Sequence, residues 1–190
     1  MAENNKSKIY NGLRARGFNH NQTIAIMANM EVESNFNPAE KQDTGKGKSY
    51  KKGEDISDDL WFKKTKTGRG TGLIQWDDRR FNLKKFAEDK GKKYTDLDTQ
   101  LDFLVKEKEN EEKWSYRKFQ DMEDPKRSDR ENIQNLTMSY VDKVERAGKP
   151  HYMRRLQAAD RLDKEFRQEP MDMNDFLKHV QTRAKRDKLR

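Results

Sequence analysis

In the stretch Met30–Pro38, MEVESNFNP, an apolar segment ends in a carboxylate and gives way at once to a loop. In the preceding segment, residues 24–33, apolar side chains point in nearly every direction around a helix. Asn29 and Glu33, four residues apart, form one narrow polar strip. A helix that is apolar almost all round is a buried helix. The sequence therefore predicts a helix through the centre of the domain that ends at Glu33.

Glu33 is the first candidate for chemistry, and two interpretations of it are open. It is either an ordinary exposed residue at a helix end or an acid whose proton is hard to lose. The C-terminal end of a helix carries partial negative charge, which disfavours ionisation of a carboxyl group there. Burial in an apolar cleft would act in the same direction. Both effects favour the protonated form that a general acid requires. Glu31 points away from Glu33, either partnered with a cation or partly exposed.

The segments on either side of the central helix predict its surroundings. A first helix is expected at Lys6–Arg16, and Asn19 or Asn21 is expected to cap the central helix. From Ala39 to Thr71 the chain is rich in Gly, Lys, Asp and Thr and predicts a long irregular excursion. A strand at residues 71–76 is expected to lead out of it.

Helical patterns then persist to residue 166. One of these helices is expected to open at the capping box Ser128–Glu131. Pro170 interrupts the pattern, and a short helix capped by Asn174 is expected beyond it. The chain is thus predicted to form a mainly α domain at 1–167, with a small irregular or β insertion after the second helix. A C-terminal helical and basic appendage is predicted at 168–190.

Composition narrows the classes of function. The chain has 190 residues, no cysteine and three histidines, so the sequence predicts no disulfide framework, no metal site and no cofactor. Its formal net charge of +8 favours polyanionic partners such as nucleic acid, acidic cell-wall polymers or a membrane surface. No apolar run reaches the ~20 residues that cross a bilayer, so membrane insertion is not expected. The N-terminal residues lack the apolar core of a signal peptide.

Two motifs in order carry a family resemblance. The sequence ESNFNP, an intervening loop and then GTGLIQWDDRRFNL resemble the phage tail lysozyme family, within the superfamily of goose-type lysozymes and lytic transglycosylases. The segments QLDFLVKE and VERAGKPHYMRRLQAA resemble later parts of the same family, so the likeness spans roughly Lys6 to Phe166. The resemblance implies a lysozyme-like α+β fold and cleavage of the β-1,4 bond of peptidoglycan.

The resemblance also implies roles for individual residues. Glu33 matches the catalytic glutamate that protonates the glycosidic oxygen, and Gln75 matches a residue that lines the sugar cleft. Gly72 would allow close approach of the backbone there. Trp76 is either a flat face for a sugar ring or a core aromatic, and Tyr140 is either part of the cleft wall or part of the core.

The sequence does not identify the second carboxylate. Hydrolases of this kind normally need a pair of carboxylates flanking the bond. Asp77 and Asp78 follow the Gln-Trp element and are candidates for a base that activates water; the excursion offers further candidates in Asp43, Asp55, Asp58 and Asp59. In the transglycosylase branch one glutamate acts as acid and then as base, and the 6-hydroxyl of the substrate attacks.

The favoured function is a virion-associated peptidoglycan glycosidase, a lysozyme (muramidase) or lytic transglycosylase, used for penetration of the host cell wall. The expected location is the tail or inner core of the virion. Other virion proteins and packaged DNA are the candidate partners of the basic C-terminal appendage. Two alternatives remain: a non-catalytic virion structural protein with a lysozyme-like fold, and a basic nucleic-acid-binding virion protein.

Overall fold

The computed structural model of the chain describes residues 2–41, 58–62, 70–146 and 150–168. Helices fill most of these ranges: α1 Ala2–Ala15, α2 His20–Ser34, α3 Asp58–Trp61, α4 Arg80–Asp89, α5 Leu97–Glu109, α6 Lys113–Gln120, α7 Asp129–Ser139 and α8 Tyr152–Gln168. A π-helical segment, Tyr140–Glu145, continues α7. These ranges contain no β-strand, and the prediction of a mainly α, lysozyme-like fold is confirmed.

Helix α2 is the buried centre that the sequence predicts. It packs against α1, α7, α8 and the π-helical segment, and its apolar residues from Ile24 to Met30 have no exposed surface. Asn19 is the N-cap: its side chain accepts a hydrogen bond from the N–H of Gln22, and the Gln22 side chain binds back to it. This capping box fixes where the helix begins.

The strand predicted at 71–76 is wrong. These residues form a tight turn, closed by two backbone hydrogen bonds between Thr71 and Trp76, at 3.1 and 2.9 Å. Gly72 and Gln75 have positive φ values of 77° and 51°, which turn the chain back on itself instead of extending it. The apolar run in the sequence reflects burial of this turn, not a strand.

Later helices follow the sequence patterns with one addition. The capping box at Ser128 is confirmed, since its side chain accepts from the N–H of Glu131 and the Glu131 side chain binds back. Helix α6 was not predicted. Among the described residues, no helix is long and apolar enough to span a bilayer.

The predictions for the excursion and for the C-terminal appendage stay predictions. Most of the excursion from Ala39 to Thr71 and the short helix capped by Asn174 lie outside the described residues. The same holds for nearly all of the appendage at 168–190. The described residues carry equal numbers of acidic and basic side chains, so the whole formal excess of +8 belongs to the segments between and beyond them.

Candidate active site

Glu33 lies in the last turn of α2, at the point where the buried helix gives way to a loop. The helix ends at Ser34, and Asn35 follows in the left-handed conformation with φ 49°, its N–H bound to the carbonyl of Glu31. The Glu33 side chain is 21% exposed. It is therefore neither free in bulk water nor sealed inside the core.

Ser34 joins this helix end to the turn at residues 71–76. Its hydroxyl lies 3.0 Å from the carbonyl oxygen of Met30 and 2.9 Å from that of Leu73. The first contact is local, whereas the second crosses to the turn that carries Gly72 and Gln75. A serine directly after the carboxylate thus holds the two motifs of the sequence together.

The partner of Glu33 is Arg155 of α8, whose side chain is completely buried (0% exposed). One terminal nitrogen, Nη2, donates to the Glu33 carboxylate. The other, Nη1, donates to Asn29 Oδ1 at 2.7 Å, and Nε donates to the carbonyl of Pro150 at 2.6 Å. The predicted polar strip is confirmed, because Asn29 and Glu33 bind the same guanidinium group.

Glu145 brings a second carboxyl group to the same guanidinium. Arg155 Nη1 donates to Glu145 Oε2 at 3.0 Å, and the Glu145 side chain is only 5% exposed. Burial, and then the adjacent Glu33 carboxyl, raises the pKa of Glu145 well above its ordinary value, although Arg155 acts in the opposite direction. The site therefore consists of two carboxyl groups around one buried cation.

Glu145 was not predicted as a site residue. It lies in the π-helical segment, which ends with the N–H of Arg146 bound to the carbonyl of Val141 at 2.7 Å, five residues back rather than four. Among the buried apolar residues Tyr140, Val141 and Val144, a glutamate has the same sequence signature whether its side chain is buried or solvated. Single-turn π segments often occur at functional sites.

Arg155 was also missed, although the sequence carried a signal for it. It lies on the apolar stripe of α8, one or two turns before buried residues of that helix: Ala158, Ala159 and Leu162. A cation at such a position needs a buried partner, because an unpaired buried charge is very costly. The stripe therefore pointed to an acidic partner elsewhere in the chain.

The turn at 71–76 is fixed by Gln100 of α5. Gln100 Oε1 accepts from the N–H of Leu73 at 2.9 Å, and its Nε2 donates to the carbonyl of Pro38 at 2.6 Å. A Cβ atom on Gly72 would lie 2.7 Å from Gln100 Oε1, and φ of Gly72 is 77°. The structure thus gives Gly72 a packing role against Gln100, which is different from the backbone approach to a sugar that was expected.

Gln75 combines backbone strain with an unused hydrogen-bonding atom. Its φ of 51° is unusual for a residue with a side chain. Its Nε2 donates to the carbonyl of Gly72 at 3.0 Å. Its Oε1 is buried and has no hydrogen-bond partner in the part of the chain that the structure describes. Because this atom is buried, a ligand would reach it only after the side chain turned outward.

Trp76 and Tyr140 lie in the core, not on a surface where a sugar ring could stack. Both side chains are fully buried. The Trp76 indole N–H donates to Glu107 at 3.0 Å, and Glu107 also accepts from Arg79 at 3.0 Å. The Tyr140 hydroxyl lies 3.3 Å from that of Tyr116. The structure therefore supports the interpretation of both residues as core aromatics.

The other candidate carboxylates are not brought into the Glu33 cluster by any described contact. Asp77 and Asp78 are exposed, and Asp77 accepts from Arg80 at 3.1 Å. Asp58 accepts from the Tyr94 hydroxyl at 2.5 Å and from Lys41 at 3.1 Å. Asp43, Asp55 and the side chain of Asp59 lie outside the described residues.

A cavity of about 330 Å³ lies at the opposite end of α2 from Glu33. It is lined by residues around the N-cap of that helix and by side chains of neighbouring segments: Asn19, His20, Asn21, Glu123, Asp129 and Arg167. None of these residues belongs to the Glu33 cluster. A helix of this length separates its ends by about 20 Å, so the cavity is not part of the candidate active site.

Comparison with known families gives the class of protein. The profile of the family described as Phage tail lysozyme matches residues 4–166, which is most of the chain. The chain therefore belongs to the phage tail lysozyme family, and membership suggests a virion-associated protein that degrades peptidoglycan. No curated protein matches the chain.

Proposed function

We propose that this protein cleaves the β-1,4 glycosidic bond of peptidoglycan glycan strands, with Glu33 as the general acid. It is carried in the virion, in the tail or inner core, and opens the host cell wall at the start of infection. The observation that carries the proposal is the placement of Glu33: a partly exposed carboxyl at the end of a central helix, held by a buried guanidinium.

The surroundings of Glu33 suit an acid that must be held in one orientation. Arg155 fixes the carboxylate from the core side, while 21% of the side chain remains accessible. Ser34 ties the helix end to the Gly72–Gln75 turn at 2.9 Å. A catalytic group restrained in this way loses little freedom when substrate binds. The exposed edge of Glu33 is where the glycosidic oxygen would lie.

Gln75 is the proposed contact to the sugar. Its side chain is partly exposed, and after turning outward its amide would accept from a hydroxyl or N–H of the glycan. Asp77 and Asp78 remain candidates for activating water on the other side of the bond, since both are exposed. In the transglycosylase route, no second carboxylate of this kind is needed, because the 6-hydroxyl of the substrate attacks.

The partners follow from the charge distribution of the sequence. The described residues are charge-balanced, and the excess positive charge belongs to the other segments, including the C-terminal residues TRAKRDKLR. We propose that these segments contact anionic wall polymers, other virion proteins or packaged DNA. Binding of this kind weakens steeply with salt, whereas cleavage of neutral glycan by the helical body should change little.

The experiment that tests the proposal compares Glu33→Gln with a matched control, Glu31→Gln, in a clearing assay on purified peptidoglycan. Glutamine keeps the shape of glutamate and removes its proton. Both residues lie near the end of α2 and bind an arginine of α8. We expect Glu33→Gln to lose at least ~100-fold in rate and Glu31→Gln to clear like the parent. Equal clearing by all three proteins would refute the role of Glu33.

Two further measurements define the reaction. Mass spectrometry of the products distinguishes reducing ends, formed by hydrolysis, from anhydro sugars, formed by transglycosylation. Replacing Gln75 by Ala should raise KM with little change in the denaturation midpoint. A large loss of stability in Gln75→Ala would assign the residue a structural role instead.

A further inference from the structure

Glu145 and Glu33 bind the same guanidinium group, which brings two acidic side chains together. Arg155 Nη1 donates to Glu145 and Nη2 donates to Glu33. The Arg155 side chain is completely buried, and Glu145 is only 5% exposed. The cluster therefore holds two carboxyl groups for one buried cation.

Burial rules Glu145 out as the second carboxylate of a glycosidase pair. The two groups of such a pair flank the scissile bond, so each must reach the sugar or a water beside it. The Glu145 side chain is only 5% exposed, whereas 21% of the Glu33 side chain is exposed. Glu145 can therefore influence the reaction only through Glu33.

The charge of the cluster indicates how many protons it holds. With two ionised carboxylates and one guanidinium, the cluster would carry a net charge of about −1 in a largely buried place, and uncompensated buried charge is costly. One proton makes the cluster neutral. Consistent with this, burial and the nearby Glu33 carboxyl raise the pKa of Glu145.

We propose that Glu145 and Arg155 are positioning residues for Glu33, and that Glu33 and Glu145 hold one proton in common, which Glu33 delivers to the glycosidic oxygen. The inference rests on the proposed function and deepens it, because it names where the proton is held between turnovers. Arg155 fixes the distance between the two carboxyl groups.

The proton balance closes over one cycle. The C1–O bond breaks as the leaving oxygen takes the proton from Glu33, and the two carboxylates are then both ionised around Arg155. Water or the 6-hydroxyl of the substrate bonds to C1, and its proton passes to Glu33. The pair again holds one proton, and nothing else is consumed.

The titratable groups around Glu145 come from several elements. Glu33 faces it from α2 and Arg155 from α8. Tyr140 lies in the same π-helical segment, and burial and the Glu145 carboxyl raise the pKa of its phenol, so it is uncharged. Arg79 donates to the carbonyl of Val144, the residue before Glu145, at 3.1 Å. Of these groups, Arg155 is the cation that binds Glu145, and Glu33 is the second acid on the same guanidinium.

The test is the pH dependence of kcat for the full-length parent, Glu145→Gln and the control Glu31→Gln. The alkaline limb of such a profile reports loss of the essential proton from the enzyme–substrate complex. Without Glu145 the proton is no longer shared, so we expect this limb to move to lower pH by at least one unit in Glu145→Gln. KM and the control profile should not change. An alkaline limb at the parent position in a folded Glu145→Gln protein would overturn the inference.

A second measurement does not depend on activity or on the folding of Glu145→Gln. Carboxyl ¹³C NMR titration of the glutamates, in parent and Glu33→Gln, follows the proton directly. We expect the raised titration of Glu145 to move to lower pH when Glu33 becomes neutral. Glu107, whose pKa is also raised by burial, is the internal reference and should not move. An unmoved Glu145 signal would overturn the sharing.

The two proposals fail in different ways. If Glu33→Gln clears peptidoglycan like the parent, the proposed function fails. If Glu33→Gln is inactive but Glu145→Gln keeps the parent pH profile, only the shared proton fails.

Discussion

Two arginine–glutamate pairs connect α2 to α8, and they differ in their surroundings more than in their chemistry. Arg161 binds Glu31 at the surface, where the arginine side chain is 61% exposed. Arg155 binds Glu33 with no exposed surface of its own. Exposed pairs contribute little because water and salt screen them. Water and salt do not screen a buried guanidinium in this way, so its charge must be balanced by the groups that it binds.

The two pairs also differ in how many groups they connect. Arg155 donates to three side chains, Asn29, Glu33 and Glu145, and to the carbonyl of Pro150. It thereby links α2, the π-helical segment and the start of α8. Residue type alone does not distinguish these arginines; the difference arises from burial and from the number of groups that each one satisfies.

The largest effect on stability is expected from Arg155→Met, compared with Arg161→Met. Removing Arg155 leaves the buried Glu145 and the partly exposed Glu33 without their cation, which costs about 3–5 kcal/mol in the free energy of unfolding. Arg161→Met should cost no more than about 1 kcal/mol. Urea denaturation measures both. Similar midpoints for the two variants would contradict the division into a buried and an exposed pair.

A smaller effect, dependent on pH, is expected from Glu145→Gln. Below the ordinary carboxyl pKa, the folded and unfolded chains both bind the proton. Above it the unfolded chain releases the proton while the folded chain retains it, because the pKa of Glu145 is raised. The parent therefore loses stability as pH rises, by at most about 1.4 kcal/mol per unit.

Glutamine does not titrate, so the stability of Glu145→Gln relative to the parent should increase as pH rises through this window. Denaturation midpoints of the two proteins, measured from acidic to mildly alkaline pH, give the difference. A difference that is constant with pH would mean that the pKa of Glu145 is the same in the folded and unfolded chains.

The smallest effect is expected from the surface pair. A double-mutant cycle with Glu31→Gln and Arg161→Gln should give a coupling energy below about 1 kcal/mol, and this energy should decrease as salt is added. This coupling energy is the contribution of an exposed guanidinium–carboxylate pair on the same two helices. A coupling as large as the Arg155 effect would contradict the assignment of Glu31 as a plain surface partner.

Local sequence patterns predicted much of the fold and part of the candidate site. The all-round apolar pattern of α2 and the caps at Asn19 and Ser128 depend on neighbours in sequence, and the structure has all three. Glu33 at the end of α2 follows from the same pattern. The turn at 71–76 was mistaken for a strand because buried turns and buried strands share an apolar composition.

The partners of Glu33 could not be predicted in the same way. Glu145 stands beside Lys143 and Arg146, which are exposed, and nothing in the local sequence distinguishes its side chain from theirs. Its meeting with Arg155 depends on how α2, α7 and α8 pack. Trp76 has the same sequence signature whether it stacks on a ligand or fills a core, and only the packing around it decides between the two.

The π-helical segment has a consequence for engineering. A π turn accommodates one residue more than an α turn, and Glu145 is the last residue of this one. Deleting one residue from the segment would restore α winding and change the direction in which Glu145 points, while the side chains of α2 and α8 stay the same.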